Sequence, residues 1–462
     1  MKYFYLTGLL FFVLGSVVFF VYRGRKIKYD FLLRRHLQKI FHKQALLLSP
    51  TYFATPVVRK DLKSGAKHKT TVWDKWQKAA FFAPQKVLHK LAASDLKNSA
   101  YYVFKADLLW LLGYEEEARD ALAAAEHPKD LYTQARKLFL QAAIALREGD
   151  LQTASADGMR AIKLFAKQNN GFEEAETYLL LGTIYRISAV YDLAQMMLTN
   201  AADIFGKIGA NHKLCEVYGN LGMLTAVQER YDEAEDYFTK AEKLISKSDD
   251  PIRHAEINNQ RVLSLLATGK LTEALALLKQ NQIRGQGKRV ELCAGFTKEL
   301  ESRIRLAQKQ WHKAAIAAKL AVKHYQTAQN LPAEFEAQML CAQAAFAQND
   351  WNTTEQITRA IITKAEKQSS CFHIANAYSL LGLVFMKKGD FKRAKGLIKQ
   401  SLNQEIRNER CSGMAIDYAN LALIEKFCGN REQAQQTLQQ ALEYAQMLDE
   451  SDLSAQIKKL LN

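Results

Sequence analysis

AETYLLLGTIYRISAVYDLAQMMLTNAADIF, residues 175–205, decides the fold of this chain. Tyr191 and Ala194 within it belong to a short pattern, small–x–aromatic-or-Leu–x–x–Ala, that reads AVYDLA at 189–194. Moving forward, the pattern returns every forty residues as ERYDEA (229–234), GKLTEA (269–274), KQWHKA (309–314), NDWNTT (349–354), GDFKRA (389–394) and GNREQA (429–434). Moving back, it reads GDLQTA (149–154) and, thirty-six residues earlier, GYEEEA (113–118). Eight of the nine copies keep the final Ala; Thr354 is the exception. Repetition at a fixed period of this size marks stacked helical units, none of which buries its apolar face alone.

Each copy reads as a helical hairpin. Twelve residues before the Ala stands a second small residue, as at Gly182, Gly222, Ala342, Gly382 and Ala422, so the two backbones can approach closely. Glycine at the turn accepts the left-handed conformation that ends the first helix, and Asp150, Asp390 and Asn430 are placed to cap the second. The aromatic or Leu of the pattern (Leu151, Tyr191, Tyr231, Leu271, Trp311, Trp351, Phe391) is expected to fill the gap between successive hairpins. In the repeated body prolines occur only at 128, 251 and 332, all between units.

With Leu181-Gly182, Tyr185, Tyr191, Ala194 and Ala201 in place, residues 175–205 resemble a tetratricopeptide repeat (TPR). CEVYGNLGMLTAVQERYDEAEDYFTKAEKLI and ANAYSLLGLVFMKKGDFKRAKGLIKQSL match equally well. The resemblance covers residues 99–446 as about nine units, and it implies an all-α fold, an α–α superhelix of the TPR solenoid type. A forty-residue period is similar to the long-helix subclass found in kinesin light chains. One unit departs: around 290–308 Lys298, Glu301 and Arg305 take places that are apolar elsewhere, so the first helix reads two residues out of phase. That unit follows NQIRGQGKRV and implies either a kink or an irregular turn.

The N-terminal part has a different character. Tyr3–Tyr22 is an uncharged run of twenty residues, long enough as a helix to cross a bilayer core of about 30 Å. A cleaved signal peptide would have a shorter apolar core and small residues at its end, whereas this run ends VVFFVYRGR. A single transmembrane anchor at 3–22 is therefore expected. Basic residues Arg23, Arg25, Lys26, Lys28, Arg34 and Arg35 follow it, against Lys2 and the terminal amine before it, which places the body on the cytoplasmic side. The net charge of +16 is concentrated here: residues 1–98 carry +15, and the other 364 residues carry +1. Such a segment reads as attraction to anionic headgroups, and no nucleic-acid motif accompanies it. Residues 29–48 form a basic amphipathic pattern that either lies in the headgroup region or packs on the first helices of the body. Residues 23–98 are thus a basic juxtamembrane segment and N-terminal cap, and 447–462 a C-terminal capping helix.

Catalytic motifs do not emerge. GQGK (285–288) lacks the Ser or Thr and the first Gly of a phosphate-binding loop, and the six cysteines include no CxxC pair. No enzymatic activity, cofactor or metal is expected. The layout is similar to an anchored lipopolysaccharide-assembly regulator, without its CxxC module, and to mitochondrial import receptors, without their Lys–x–x–x–Asn clamp. The expectation is a membrane-tethered scaffold at a bacterial inner membrane, or alternatively a mitochondrial outer membrane, that holds a peptide or helix of a partner protein in a concave groove. A receptor or assembly factor of a translocation or envelope-biogenesis complex is the alternative; a purely lipid-binding coat is weaker. The first helices would line the groove, and there Glu176, Glu216, Glu256 and Glu336 recur at forty-residue steps, with a gap at Phe296. Asn220 and Asn420 occupy matching places, resembling asparagines with which long-repeat adaptors hold a peptide backbone. The glutamates admit two readings: a ligand-binding row, or first-turn residues favoured by the helix dipole.

Overall fold

The computed structural model describes residues 84–92, 98–112, 114–245, 250–285, 287–367, 371–407 and 411–447, together with Ser454 and Ile457. The anchor at 3–22, the basic residues 23–35 and the amphipathic stretch 29–48 lie outside the described residues. Among the described residues no helix is long and apolar enough to cross a membrane.

A short α1 (Pro84–Ala92) precedes the array. Nine hairpins follow among the described residues: α2 (Ser99–Leu112) with α3 (Glu115–Ala124), α4 (Leu131–Glu148) with α5 (Leu151–Ala166), and α6 (Gly171–Ile187) with α7 (Tyr191–Lys207). Next come α8 (Asn211–Val227) with α9 (Tyr231–Ile245), α10 (Pro251–Ala267) with α11 (Leu271–Lys279), and α12 (Lys288–Ala307) with α13 (Trp311–Thr327). The last are α14 (Leu331–Ala347) with α15 (Trp351–Glu366), α16 (Cys371–Lys387) with α17 (Phe391–Arg407), and α18 (Cys411–Phe427) with α19 (Arg431–Met447). Two compact units are present, one of residues 41–186 and 191–357 and one that contains residues 187–190 and 358–462; the main boundary falls inside α15.

Close packing within hairpins has a measurable cause. A Cβ added to Gly182 would stand 2.6 Å from Leu198 Cγ, and one at Gly222 would stand 2.8 Å from the Phe238 ring. Those glycines let the second helix seat its large apolar residue directly on the first. Ala154, Ala194, Ala234, Ala274, Ala314 and Ala394 are fully buried at the same contact. Turns between first and second helices recur with their left-handed residue every forty positions: Gly149, Ala189, Glu229, Gly269, Lys309, Asn349, Gly389 and Gly429. Glycine holds that place in only half of them; elsewhere the packing of the hairpin imposes a positive φ on a side chain that resists it. Asp150 and Asp390 accept hydrogen bonds from the backbone N–H of Thr153 and Arg393, both at 3.0 Å, as N-caps do. Pro251 and Pro332 occupy first turns, where a missing N–H leaves no partner unsatisfied.

The departing unit is in phase after all. Ser302 is the small residue twelve positions before Ala314, fully buried, and its Oγ donates to the Ala314 carbonyl at 2.9 Å. What misleads the eye is polar burial: Thr297 pairs with Asn259 at 2.9 Å, and Glu299 accepts from Tyr325 Oη and Arg303, both at 2.8 Å. The irregularity is absorbed in the preceding hairpin. α11 has nine residues, against 15 in α9 and 17 in α13. The chain after it is held by Asn281, which accepts from Asn258 at 2.8 Å and donates to Asn259 at 3.0 Å. At the C-terminal end Ile457 packs on Ala415, Leu438 and Leu442; the rest of 448–462, apart from Ser454, lies outside the described residues.

Candidate functional site

First helices α2, α4, α6, α8, α10 and α12 carry a continuous ladder of buried charge. Arg136 bridges Asp107 (2.7 Å) and Glu176 (3.2 Å), and Lys213 bridges Glu176 (3.0 Å) and Glu216 (3.6 Å). Arg253 then joins Glu216 (3.5 Å) to Glu256 (3.2 Å), and Arg289 closes on Glu256 through Nε and Nη2, both at 2.9 Å. Asp250 lies 3.8 Å from Arg289 at the end of the run. The ladder stops where Phe296 takes the next glutamate's place and enters the core.

The geometry follows from the repeat. A cation three residues ahead of the glutamate, one turn toward the N-terminus, lies opposite the glutamate of the preceding first helix. Hence Glu176 meets Lys213, and Glu216 meets Arg253, at a separation of thirty-seven residues. Burial opposes ionisation of Glu176, yet Lys213 and Arg136 hold its carboxyl below the usual carboxylate range. Burial likewise works against the charge of Arg136 and Arg289, and the adjacent carboxylates outweigh it, so both stay protonated.

Beside the ladder a small cleft of about 40 Å³ opens between α2, α4, α6 and α8. Trp110, Phe139, Leu179 and Leu180 supply its apolar wall, and Glu176, Lys213, Glu216 and Asn220 its polar one. At that size the cleft admits at most the tip of one side chain, set between an apolar wall and paired charges.

The structure thus brings Glu176, Glu216, Glu256 and Asn220 onto one face and separates the rest. Glu336, on α14, belongs to another cluster, 3.3 Å from Arg303, which also holds Glu299. Asn420 sits half-buried on α18 in the second unit. The expected acidic row is no open acidic surface: its carboxylates are matched by cations of the fold. Asn220 is engaged too, donating to the Glu216 carbonyl at 3.0 Å and accepting from Thr183 at 3.2 Å. Arg136, Lys213, Arg253 and Arg289 escaped the sequence reading. Their signal was present in Lys213–x–x–Glu216 and Arg253–x–x–Glu256, two identical spacings forty residues apart.

Models of the tetratricopeptide repeat match residues 173–247 and 418–446. The chain carries tetratricopeptide repeats. No curated protein matches it by sequence. Among solved structures, the TPR array is similar to the apo form of the quorum sensor NprR from B. thuringiensis, with TM-score 0.54, 11% identity, and coverage of 78% of this chain and 99% of that one. It is also similar to a signal transduction ATPase with a TPR sensor from Pyrococcus horikoshii, with TM-score 0.53, 11% identity, and coverage of 89% and 70%. NprR in complex with its cognate peptide NprX matches at TM-score 0.41 and 14% identity, covering 63% and 83%. At these identities the likeness shows the fold, all-helical and of TPR type.

Proposed function

We propose that this chain is a membrane-tethered TPR scaffold whose first helices capture a segment of a partner protein. The cleft between α2, α4, α6 and α8 carries the reading, because it sets an apolar wall beside a charge-balanced one on the helices that line the groove in this fold. Trp110, Phe139, Leu179 and Leu180 are already buried in the free chain, so at roughly 25 cal/mol per Å² removed from water they add little burial energy and act mainly by shaping the cleft. The ladder supplies orientation more than attraction, since Glu176, Glu216 and Glu256 already have cationic partners. An amphipathic helix or extended peptide fits this division better than a purely basic one, and the charge balance makes its affinity only weakly salt-dependent. Peptide-binding TPR proteins such as NprR support a protein partner.

Tethering belongs to the same proposal: residues 3–22 span the membrane, Arg23, Arg25, Lys26, Lys28, Arg34 and Arg35 hold the following segment at the anionic surface, and the repeats face the cytoplasm. Glu176, Glu216 and Glu256, with Asn220, lie on the first-helix face that meets the ligand in this reading. A role as receptor or assembly factor of a translocation or envelope-biogenesis complex is one form of this function, and no catalytic step is assigned. The test is a photo-crosslinking residue at Leu180 in native membranes, with partners identified by mass spectrometry. Ala143→Phe, which fills the cleft, is expected to abolish those crosslinks. Partners captured undiminished by that variant, still folded by circular dichroism, would overturn the assignment.

A further inference from the structure

The second unit carries a surface of another kind at its hairpin turns. Phe427, the last residue of α18, is 66% exposed although large and apolar. Its ring lies flat on Phe391 of the neighbouring hairpin, with centroids 5.8 Å apart and planes 12° from parallel. That contact brings the α16–α17 turn beside the α18–α19 turn. Lys387, Lys388, Lys392, Arg393, Lys426 and Arg431 are all exposed on those two turns and the helix ends that flank them. Arg359 joins them from α15: its guanidinium lies 6.0 Å from the Phe385 ring, with Lys388 at 5.7 Å and Arg393 at 5.6 Å from the same ring. The acidic residues nearby are Asp390, 3.2 Å from Arg393, Glu425, buried against Lys395 at 2.9 Å, Glu432, which follows Arg431, and Glu355, one turn before Arg359 on α15.

The geometry points to this turn surface as a contact site for an anionic lipid surface, with Phe427 entering the interface and the cations pairing with headgroups. Two features favour a plane over a strand of nucleic acid. The cations sit on exposed turns rather than in a groove that tracks a backbone. Phe427 also has one face covered by Phe391, which leaves an outward apolar wedge ringed by cations, the composition of interfacial segments. The inference deepens the membrane reading proposed above, but it is read at the opposite end of the chain, so either can fail alone.

Cys428, exposed beside Phe427, gives a local readout. Cys215, Cys293 and Cys341 are buried, and burial pushes the Cys215 thiol up to about 12 and that of Cys341 up to about 11, so a thiol reagent spares them. The full chain, with Cys371→Ser and Cys411→Ser, is labelled at Cys428 with an environment-sensitive fluorophore. It is reconstituted into vesicles of phosphatidylcholine alone or mixed with phosphatidylglycerol. The expected result is a blue-shifted emission, quenched by brominated acyl chains, only where phosphatidylglycerol is present. K387E/K392E, which touches no ring contact, should weaken the response about tenfold through lost headgroup attraction, and F427S should remove the acyl-chain quenching while leaving the protein folded. Equal emission in both vesicle types, or no effect of K387E/K392E, overturns the proposal. So does a response to a single-stranded oligonucleotide in place of the anionic vesicles, which would make the surface one for nucleic acid.

Discussion

Replacing Glu256 by glutamine tests whether the ladder holds the repeats together. Its carboxylate is fully buried and receives Arg289 twice at 2.9 Å and Arg253 once at 3.2 Å. Glutamine keeps the shape and one acceptor but removes the charge. Arg253 then retains Glu216 at 3.5 Å, and Arg289 retains Asp250 at 3.8 Å. At 3 Å and an effective dielectric near 20, each lost pairing is worth roughly 5 kcal/mol gross, most of it set against desolvation already incurred. Removing one partner of a buried pair costs about 3–5 kcal/mol where the other charge is left uncompensated, and the partners that Arg253 and Arg289 retain put the loss at the lower end of that range. The control is Glu301→Gln, which breaks partly exposed pairs with Lys298 at 2.9 Å and Arg305 at 3.9 Å and should cost no more than about 1 kcal/mol. Stability in a repeat array is transmitted between neighbours, so the loss should be local. Hydrogen exchange followed by mass spectrometry should show lost protection in α8, α10 and α12, with α16–α19 unchanged. Thermal unfolding should fall by roughly 5 °C. If Glu256→Gln matched Glu301→Gln, or if protection fell evenly along the chain, the ladder would not be a source of stability.

Four further outcomes are expected. Burial, reinforced by Lys213 and Arg253, lowers the His212 pKa to about 4, whereas the unfolded chain takes up that proton near 6.5. Stability is therefore full above about pH 6.5 and declines toward pH 4, by up to about 3 kcal/mol; His212→Gln should flatten urea midpoints between pH 6.5 and 5, above the range in which Glu176 contributes. Ala234→Leu and Ala394→Leu, at fully buried contacts, should each lower stability by about 1–3 kcal/mol through overpacking, and unchanged melting at both would refute the hairpin register. Lys309→Gly and Glu229→Gly relieve positive φ angles of 57° and 66° and should raise stability by about 0.5–1 kcal/mol in calorimetry, the relief exceeding glycine's added chain entropy. Protease added outside sealed spheroplasts should leave residues 99–462 intact, and their digestion would reverse the proposed topology.

Much of the fold was legible in the sequence because its determinants are local. The forty-residue recurrence of Ala194 and its equivalents, the small residue twelve positions earlier, and the capping Asp150 and Asp390 each act within one hairpin. Helix period and turn chemistry alone place them. The sequence also located Glu176, Glu216 and Glu256 on one face, since forty residues return a side chain to the same position in the next unit. Their pairing was not legible. Whether Glu216 faces a ligand or Arg253 depends on the stagger between adjacent first helices, which brings a residue thirty-seven positions away to 3.5 Å. The phase of the departing unit was hidden for a related reason: Thr297 and Glu299 look exposed by type, and only partners on α10, on α13 and on α12 itself make their burial possible. Polar groups can occupy a core where another element brings a complementary group, and that match is a property of the assembled helices, not of any one segment.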